Sequence, residues 1–314
     1  MATHLCTVFD KNYVVRALAL YNSVSKFDPE TNFWFLCLDT ESKELVDMLG
    51  LNNVKIKTVE DIGDSELAGV KEGRTIGEFA FTSKSCLLNY VVANTQTGDM
   101  VVFADSDILC YSSMKNFFGK MVDNYNIAVT PHRFGENKKY MEQRVGKYNA
   151  GMLFFINSEE SRKCIGEWRN QCIDWCYLRY EDGKLGDQMY LAEWPTKYKG
   201  VLEVADKGIN LGSWNIANYK ITENENGVWI DNEPLICYHF HGLKMYLDKG
   251  GVCPLPINVL HDGIYRAYTK AIKEALLQVR AVKPDWQYGF IEKPNLLRLL
   301  KQKIHRFIIE RTRK

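Results

Sequence analysis

Two carboxylates separated by one residue follow a short apolar stretch, since Asp105 and Asp107 come directly after residues 101–104. Side chains two residues apart in a strand point to the same face, so both carboxylates would reach one cation. A valine-rich run this short indicates a strand buried on both faces, and open α/β sheets bind ligands at the carboxyl ends of such strands. The motif predicts a metal site, with a pair of solvated turn aspartates as the alternative.

A second stretch, residues 236–244, begins with apolar residues and carries two imidazoles, those of His239 and His241. Within a strand both rings would face the same way. A lone histidine on an apolar strand is more often a satisfied core residue. Here Gly242 and Lys244 follow with a tight turn and a cation, which favours a functional site. Two carboxylates and one imidazole would leave open positions on Mn²⁺ or Mg²⁺ for a diphosphate.

Several polar residues between these stretches could bind a phosphorylated sugar. Lys84 lies near the start of a predicted helix, where its ammonium could reach a phosphate, although a solvated surface lysine is an equal alternative. Asn149, Asp187, Gln188 and Asn215 can hydrogen-bond sugar hydroxyls. Asp187 has the competing interpretation of a plain helix N-cap.

The amino-terminal part of the chain has the order of a parallel α/β sheet. Strands are predicted at 4–9, 32–38 and 54–59, with helices at 14–24 and 42–49 between them. No Gly-x-Gly-x-x-Gly follows the first strand, which disfavours a dinucleotide site. Residues 134–147 lack clear periodicity and are predicted to form a mobile loop over the site.

Composition narrows the function classes. The 314 residues carry a net charge of +1, which gives no electrostatic case for a nucleic-acid partner. Nine scattered cysteines, an odd number, predict buried reduced thiols in a cytosolic protein. No signal peptide is visible, and no stretch approaches the roughly 18 apolar residues of a membrane span. We therefore expect a cytoplasmic protein that is soluble or peripheral to the membrane.

Five short motifs in this order resemble the GT-A-fold retaining glycosyltransferases that include glycosyltransferase family 8. More closely, the chain is similar to bacterial nucleotide-diphospho-sugar transferases among the surface-polysaccharide enzymes. The likeness runs from residue 4 to about residue 247. The motifs are Phe-Thr-Ser-Lys at 81–84, Phe-Ala-Asp-Ser-Asp at 103–107, Tyr-Asn-Ala-Gly at 148–151, Gly-Asp-Gln at 186–188 and His-Phe-His-Gly-Leu-Lys at 239–244.

The resemblance implies residue roles. A metal, Mn²⁺ or Mg²⁺, would be held by Asp105, Asp107 and His239, with His241 as substitute for His239. Catalytic residues would be Asp187, Gln188 and Asn149. Substrate-binding residues would be Phe9, Tyr13, Lys84, Asp105, Ser106, Asn149, Asn215 and Lys244. The family pattern reads His-x-x-Gly-x-x-Lys-Pro-Trp, so Lys244 stands one residue early and the Pro-Trp is missing.

The resemblance also implies an α/β GT-A fold with a mixed, mostly parallel sheet flanked by helices. The catalytic domain would span 1–255, with a nucleotide-binding half at 1–110 and an acceptor-side half at 111–255. A helical extension would occupy 256–314. Its basic amphipathic end at 295–314 either docks on the protein or lies on an anionic membrane surface.

The implied function is metal-dependent transfer of a hexose from a UDP-linked donor, with retention. The acceptor would be a glycan or lipid-linked molecule in surface polysaccharide or lipopolysaccharide synthesis, at the inner face of the membrane. Two alternatives stay open. One is a haloacid-dehalogenase-like Mg²⁺ phosphatase, whose opening motif is also Asp-x-Asp after an apolar strand. The other is a protein that binds a sugar nucleotide without turning it over.

Overall fold

Strands and helices alternate from the amino terminus, as the apolar periodicity predicts. The computed structural model describes residues 1–122, 124–225, 227–248, 251–254 and 262–293. Its α-helices are α1 (Val14–Phe27), α2 (Thr40–Leu49), α3 (Ser65–Val70), α4 (Ile76–Ala93), α5 (Lys115–Met121), α6 (Met141–Val145), α7 (Glu159–Asp174), α8 (Trp194–Lys197) and α9 (Asp262–Val282). Short 3₁₀ helices span Lys71–Gly73, Glu136–Lys138, Met189–Glu193 and Ile216–Asn218.

The strands form one large sheet and three small ones within the described residues. In chain order they are β1 (Thr3–Phe9), β2 (Asn32–Cys37), β3 (Val54–Lys57), β4 (Met100–Ala104), β5 (Ile108–Cys110), β6 (Ile127–Pro131), β7 (Tyr148–Ile156), β8 (Val201–Glu203), β9 (Leu211–Gly212), β10 (Ile221–Asn224), β11 (Gly227–Ile230), β12 (Glu233–Pro234), β13 (Cys237–His239), β14 (Met245–Asp248) and β15 (Gly251–Pro254). The large sheet has the order β3-β2-β1-β4-β7-β6-β8.

Pairing in the large sheet is mixed and mostly parallel, which confirms the predicted fold class. β1 runs parallel to β2 and β4, β2 to β3, and β6 to β8. β7 runs antiparallel to both of its neighbours, β4 and β6. A second sheet has the order β5-β13-β9, and its strand β5 follows β4 in the chain. The site described below lies where these two sheets meet.

Alternation along the central strands divides the core into two layers. In β4, Val102 packs with one buried cluster while Val101 and Phe103 pack with the other. Helices α1 and α9 contribute to the first cluster, whereas α4 and α7 contribute to the second. Each fully buried large apolar side chain stabilises the fold by about 1.5–3 kcal/mol. Because both faces of β4 are covered, its carboxyl end is held rigidly.

Helix α4, which carries Lys84, begins at a capping box. The Thr75 side chain accepts from the Glu78 N–H, and the Glu78 carboxylate accepts from the Thr75 N–H at 2.9 Å. These two bonds satisfy backbone donors that an α-helix leaves free at its amino end. The box therefore fixes where α4 starts, and with it the turn of the helix on which Lys84 stands.

Residues 134–147 are more regular than the sequence predicts. They contain the 3₁₀ helix Glu136–Lys138 and helix α6, which the sequence did not predict, while the predicted mobility of the segment stays a prediction. The His132 N–H donates to the Lys147 carbonyl oxygen at 2.8 Å and closes the segment at its base. The Gln188 amide donates to the Val145 carbonyl oxygen at 2.5 Å and holds the end of α6. These contacts come from distant residues, which local periodicity does not reveal.

The part of the chain predicted to form a helical extension contains α9, which packs against α1. After α9, Trp286 is buried and its carbonyl oxygen accepts from Arg280 Nε at 3.2 Å. The predicted helix at 296–309 and the basic end at 295–314 lie outside the described residues, and the division at residue 255 stays a prediction. Within residues 1–293, as far as they are described, no helix is long and apolar enough to cross a membrane.

Candidate active site

The two carboxylates lie in a turn between two strands. The Ile108 N–H donates to the Asp105 carbonyl oxygen at 3.0 Å, and the Asp105 N–H donates to the Gly151 carbonyl oxygen at 2.8 Å. The expectation that Asp105 and Asp107 share one face of a strand is therefore wrong. The chain turns here because β4 ends at Ala104 and β5 joins a different sheet. What brings the two carboxylates together is a common neighbour, His239.

His239 stands at the end of β13, directly opposite Ile108 of β5. Its side chain is only 1% exposed. The imidazole Nε2 lies 3.0 Å from Asp107 Oδ1 and 3.7 Å from Asp105 Oδ2. Antiparallel pairing of β5 and β13 thus brings together residues more than 130 positions apart in the chain.

Asn210 determines which nitrogen of His239 carries a proton. Its amide nitrogen donates to Thr130 Oγ1 at 2.7 Å and to Asn149 Oδ1 at 3.0 Å, so its oxygen faces His239 Nδ1 at 3.3 Å. His239 therefore donates from Nδ1 and directs the Nε2 lone pair at the carboxylates. Nε2 is buried and has no hydrogen-bond partner among the described residues. A lone pair facing two carboxylates requires a proton or a cation between them, so this donor set fits a divalent metal.

The ionisation of the pair follows the same geometry. Burial disfavours the charged form of Asp107, but the His239 ring outweighs it and lowers the pKa of Asp107 to about 2. Burial also lowers the pKa of His239, yet the neighbouring Asp107 carboxylate outweighs that effect and the net shift is upward. Each shift therefore expresses the attraction between a charged imidazole ring and a charged carboxylate, because each group stabilises the ionised form of the other.

His241 lies beyond the end of β13, in a turn with Gly242 at φ +69. Its ring centroid is 5.6 Å from that of His239, at an interplanar angle of 90°. One ligand atom from each of Asp107, His239 and His241 lies within 4.8 Å of the others, which is close enough to share one ion. Burial lowers the pKa of His241, and this leaves its ring neutral for ligation. Both histidines thus remain candidates.

Lys84 links two predicted site carboxylates. Its ammonium lies 2.8 Å from Asp105 Oδ1 and 3.1 Å from Asp187 Oδ2, and the side chain is buried. Burial lowers the pKa of Lys84, but the two carboxylates outweigh it and raise the pKa overall. Burial raises the pKa of Asp187, in spite of Lys84. The N-cap interpretation of Asp187 is wrong, because the 3₁₀ helix that follows begins at Met189 and its N-cap residue is Gln188, with no side-chain cap from the described residues.

Asn149 and Gln188 form a hydrogen-bonded pair beside these ions. Asn149 Nδ2 donates to Gln188 Oε1 at 3.4 Å, and Asn149 Oδ1 accepts from the Gly151 N–H at 3.0 Å. Asn149 lies in β7 and Gln188 precedes the 3₁₀ helix Met189–Glu193. The two amides thus stand on rigid elements next to the Lys84–Asp187 pair.

Gly151 is needed where it stands. A Cβ there would lie 2.4 Å from His239 Cε1 and 2.6 Å from Asn149 Oδ1, far inside van der Waals contact. We expect Gly151→Ala to lower the free energy of unfolding by about 1–3 kcal/mol, the usual cost of overpacking, measured by urea denaturation. Gly119→Ala is the control, because Gly119 lies in helix α5 and a Cβ there meets no described atom within 4 Å. Equal stabilities of the two variants would contradict this account.

A cavity of about 210 Å³ opens beside the carboxylates. Five of the predicted substrate-binding residues line it: Phe9, Tyr13, Lys84, Asp105 and Ser106. The remaining lining residues are Val8, Asp10, Leu38, Ile76, Gly77, Ala80, Phe81, Asp107, His241 and Gly242. The lining therefore combines apolar and aromatic side chains with charged ones. This combination suits a ligand that carries both a flat ring and phosphates.

The three other predicted substrate-binding residues, Asn149, Asn215 and Lys244, are not among the residues that line this cavity. Asn215 is buried, donates to the His132 carbonyl oxygen at 2.8 Å and accepts from the Gly212 N–H at 3.0 Å. Lys244 is exposed. The structure therefore places Asn215 in a backbone-bracing position.

Sequence reasoning missed three residues of the site. Asp10 follows β1 as Asp105 follows β4, and its carboxylate accepts from the Asn12 N–H at 3.0 Å. A carboxylate at a strand end was the available signal. Asn210 and His132 contact Asn149, but no local pattern marks either one.

The family model described as Glycosyl transferase family 8 matches residues 4–196, more than half of the chain. The chain belongs to glycosyl transferase family 8. The matched span contains the capping box of α4, Lys84, both carboxylates of the turn, Asn149 and the Asp187-Gln188 pair. His239 and His241 lie beyond it. The family match therefore covers most of the candidate site residues, whereas the two histidines are brought to the site by the tertiary structure.

Two relatives share nearly the full length of this family 8 chain. The uncharacterized protein YfnD of Bacillus subtilis (strain 168) is 26% identical over 296 residues, which cover 92% of this chain and 95% of that protein. YfnF of the same strain is 25% identical over 306 residues, covering 93% and 99%. The likeness thus continues well beyond residue 196.

Solved structures share the fold of this family 8 protein. The galactosyltransferase LgtC, in complex with donor and acceptor sugar analogues, aligns with a TM-score of 0.58 at 16% identity over 87% of this chain and 96% of that one. The bifunctional glycosyltransferase WbbM in its apo form aligns with a TM-score of 0.55 at 14% identity, covering 90% and 51%. The protein is a glycosyltransferase with a GT-A fold, so the phosphatase alternative fails.

Proposed function

We propose that this glycosyltransferase moves a hexose from a nucleoside-diphosphate sugar, UDP-linked, to a glycan or lipid-linked acceptor. One observation carries the proposal: Asp107, His239 and His241 could hold one ion, and two of them, Asp107 and His241, line a cavity that has both aromatic and charged side chains. Surface polysaccharide or lipopolysaccharide synthesis at the inner face of the membrane is the setting we propose. LgtC, which shares the fold, forms a complex with donor and acceptor sugar analogues, and this supports a donor and an acceptor here.

The metal would be held by Asp107 and His239, with Asp105 and His241 as the nearest further donors. When bound, a divalent cation such as Mn²⁺ neutralises charge on the diphosphate and improves it as a leaving group. The protein holds the metal-binding side chains in position. Asn210 orients His239 through Nδ1, and β5–β13 pairing fixes the ring opposite the turn.

The donor would lie along the cavity. Tyr13, whose ring packs 4.8 Å from the Arg16 guanidinium, would stack on the base together with Phe9. Lys84 would contact phosphate or the donor sugar. Asn149, Asp187 and Gln188 would hydrogen-bond the hydroxyls of the transferred hexose. The Asp187 side chain is held by Lys84, and the Asn149 side chain is hydrogen-bonded to Gln188. Lys244 would approach the phosphates from the opposite side.

We favour retention by front-face attack, in which the leaving phosphate takes the acceptor proton, over a covalent intermediate on Asp187. Lys84 pairs with Asp187 Oδ2 at 3.1 Å, and the ammonium makes that oxygen a weaker nucleophile. We expect Asp187→Asn to keep more than about a tenth of wild-type turnover, a barrier change below about 1.4 kcal/mol. A steady-state assay decides this. Complete loss of turnover in a folded variant, with a trapped glycosyl-enzyme in wild type, would support the covalent route.

A screen of sugar nucleotides tests the proposal directly. Each is added with Mn²⁺, and both thermal stabilisation and release of the nucleoside diphosphate are measured. We expect a UDP-hexose to raise the melting temperature only when the metal is present, and to be hydrolysed slowly. Stabilisation without any hydrolysis or transfer would favour a binding protein instead. A complete absence of stabilisation by any sugar nucleotide would overturn the proposed donor site.

A further inference from the structure

His132 is a buried histidine next to the site that none of the site motifs contains. It follows β6 directly and is 5% exposed. Its ring stacks on Phe134, with centroids 4.8 Å apart and an interplanar angle of 12°, and meets the Trp214 ring edge-on at 5.8 Å. These two contacts hold the imidazole plane in one orientation. The ring therefore presents its two nitrogens in fixed directions.

The partners of His132 define its tautomer. Nδ1 lies 3.0 Å from the Gly146 carbonyl oxygen, which can only accept, so Nδ1 carries the proton. Nε2 then presents a lone pair to Asn149 Nδ2 at 3.4 Å. Burial lowers the pKa of His132 to about 4, so the ring stays neutral at physiological pH and this lone pair persists. His132 is thus an acceptor toward Asn149.

The orientation of the Asn149 amide depends on such an acceptor. Its oxygen is committed to two donors, the Gly151 N–H at 3.0 Å and Asn210 Nδ2 at 3.0 Å. Its NH₂ group must therefore face outward, between His132 Nε2 and Gln188 Oε1. We infer that His132 is a positioning residue: by accepting one Asn149 N–H it directs the other to Gln188 Oε1, and it thereby holds the Gln188 amide, whose second N–H is left for the transferred sugar.

The same contacts tie residues 134–147 to the candidate site. The Gly146 carbonyl binds His132 Nδ1, and the adjacent Val145 carbonyl binds Gln188 Nε2 at 2.5 Å. Two consecutive carbonyls of one short segment thus fix both side chains that flank Asn149. Displacing His132 releases one of the two contacts. A misplacement of about 1 Å near reacting groups can cost about 100-fold in rate.

Two isosteric variants separate positioning from structure. In His132→Asn, the amide nitrogen stands near Nδ1 and keeps the bond to Gly146, but the acceptor at the Nε2 position is lost. In His132→Gln, the amide oxygen stands near Nε2 and accepts from Asn149. Turnover of UDP-galactose and UDP-glucose with Mn²⁺ is measured for both. We expect His132→Asn to lower kcat about 10- to 100-fold with little change in KM, and His132→Gln to restore most of it.

The control is His4→Asn. His4 is also buried, and its ring bonds Trp34 Nε1 and Asp99 Oδ2, each at 3.3 Å, at the opposite end of β1 from the cavity. It should lower the melting temperature and leave kcat unchanged. Equal kcat values for wild type and both His132 variants, equal losses in the two, or failure of both to fold would overturn the inference. The inference rests on the proposed function: a wild type that turns over neither nucleotide would count against that function first.

Discussion

Asp107→Asn is expected to lower metal-dependent turnover by more than about 100-fold, which corresponds to about 3 kcal/mol of barrier. Asp107 supplies the buried carboxylate closest to His239 Nε2, at 3.0 Å, and belongs to the trio of ligand atoms within 4.8 Å. An amide keeps the shape and one oxygen donor but removes the negative charge that binds a divalent cation. Mn²⁺ should then no longer raise the melting temperature. Turnover and thermal melting with increasing Mn²⁺ measure both effects.

Asp47→Asn is the matched control for this change. Asp47 is an exposed helix residue, and its carboxylate pairs with Lys43 at 2.6 Å, four positions earlier in α2. Such pairs contribute only about 0.3–0.5 kcal/mol, and Asp47 is outside the cavity lining. We expect unchanged turnover and unchanged stabilisation by Mn²⁺. Wild-type turnover in Asp107→Asn at low Mn²⁺ would rule out this carboxylate as a metal ligand.

Lys84→Met is expected to lower the free energy of unfolding by about 3–5 kcal/mol. The buried ammonium neutralises Asp105 at 2.8 Å and Asp187 at 3.1 Å, and its removal leaves two carboxylates without their counter-charge. Methionine has nearly the same length and shape, so lost packing contributes little. Turnover should fall as well, because Asp105 and Asp187 would repel each other once the ammonium that neutralises them is removed. Urea denaturation and a steady-state assay measure the two effects.

A double-mutant cycle distinguishes lost charge pairing from lost packing. Lys84→Met combined with Asp187→Asn removes the cation together with one of its two partners. We expect the double variant to recover about 0.5–3 kcal/mol relative to the sum of the single changes. Lys43→Met, which breaks the exposed pair with Asp47, should change stability by less than about 0.5 kcal/mol. Strictly additive single changes would mean that Lys84 stabilises the fold through packing alone.

Local sequence patterns were sufficient for the elements that carry the site. The apolar stretches at residues 4–9 and 32–38 predict β1 and β2, and the apolar positions around Lys84 predict the helix that the structure shows as α4. These patterns are readable because each element must bury one face, whatever its partner is. The chemical types of the site were also readable: Lys84, Asp105, Asp107, Asn149, Asp187 and His239 were all identified from the sequence. The metal roles assigned to them stay predictions.

Relations between distant residues were decided by the tertiary structure. The sequence placed Asp105 and Asp107 on one strand, but the pairing of β5 with β13 turns the chain there and brings His239 to both. The Lys84–Asp187 ion pair joins residues more than 100 positions apart, and His132 meets Asn149 only because β6 lies beside β7.

The sequence by itself therefore determined the strands, the helices, the family and the kinds of side chain available for chemistry. The tertiary structure determined which of those side chains share a proton, a charge or a cation, and which histidine nitrogen faces the carboxylates. The physical reason is that a sequence pattern reports on neighbouring residues, whereas the site depends on contacts between distant ones. Periodicity reports the burial of one element at a time, whereas hydrogen bonds and ion pairs depend on distances of about 3 Å between elements. Such distances are fixed only when the sheets are paired and the helices are packed.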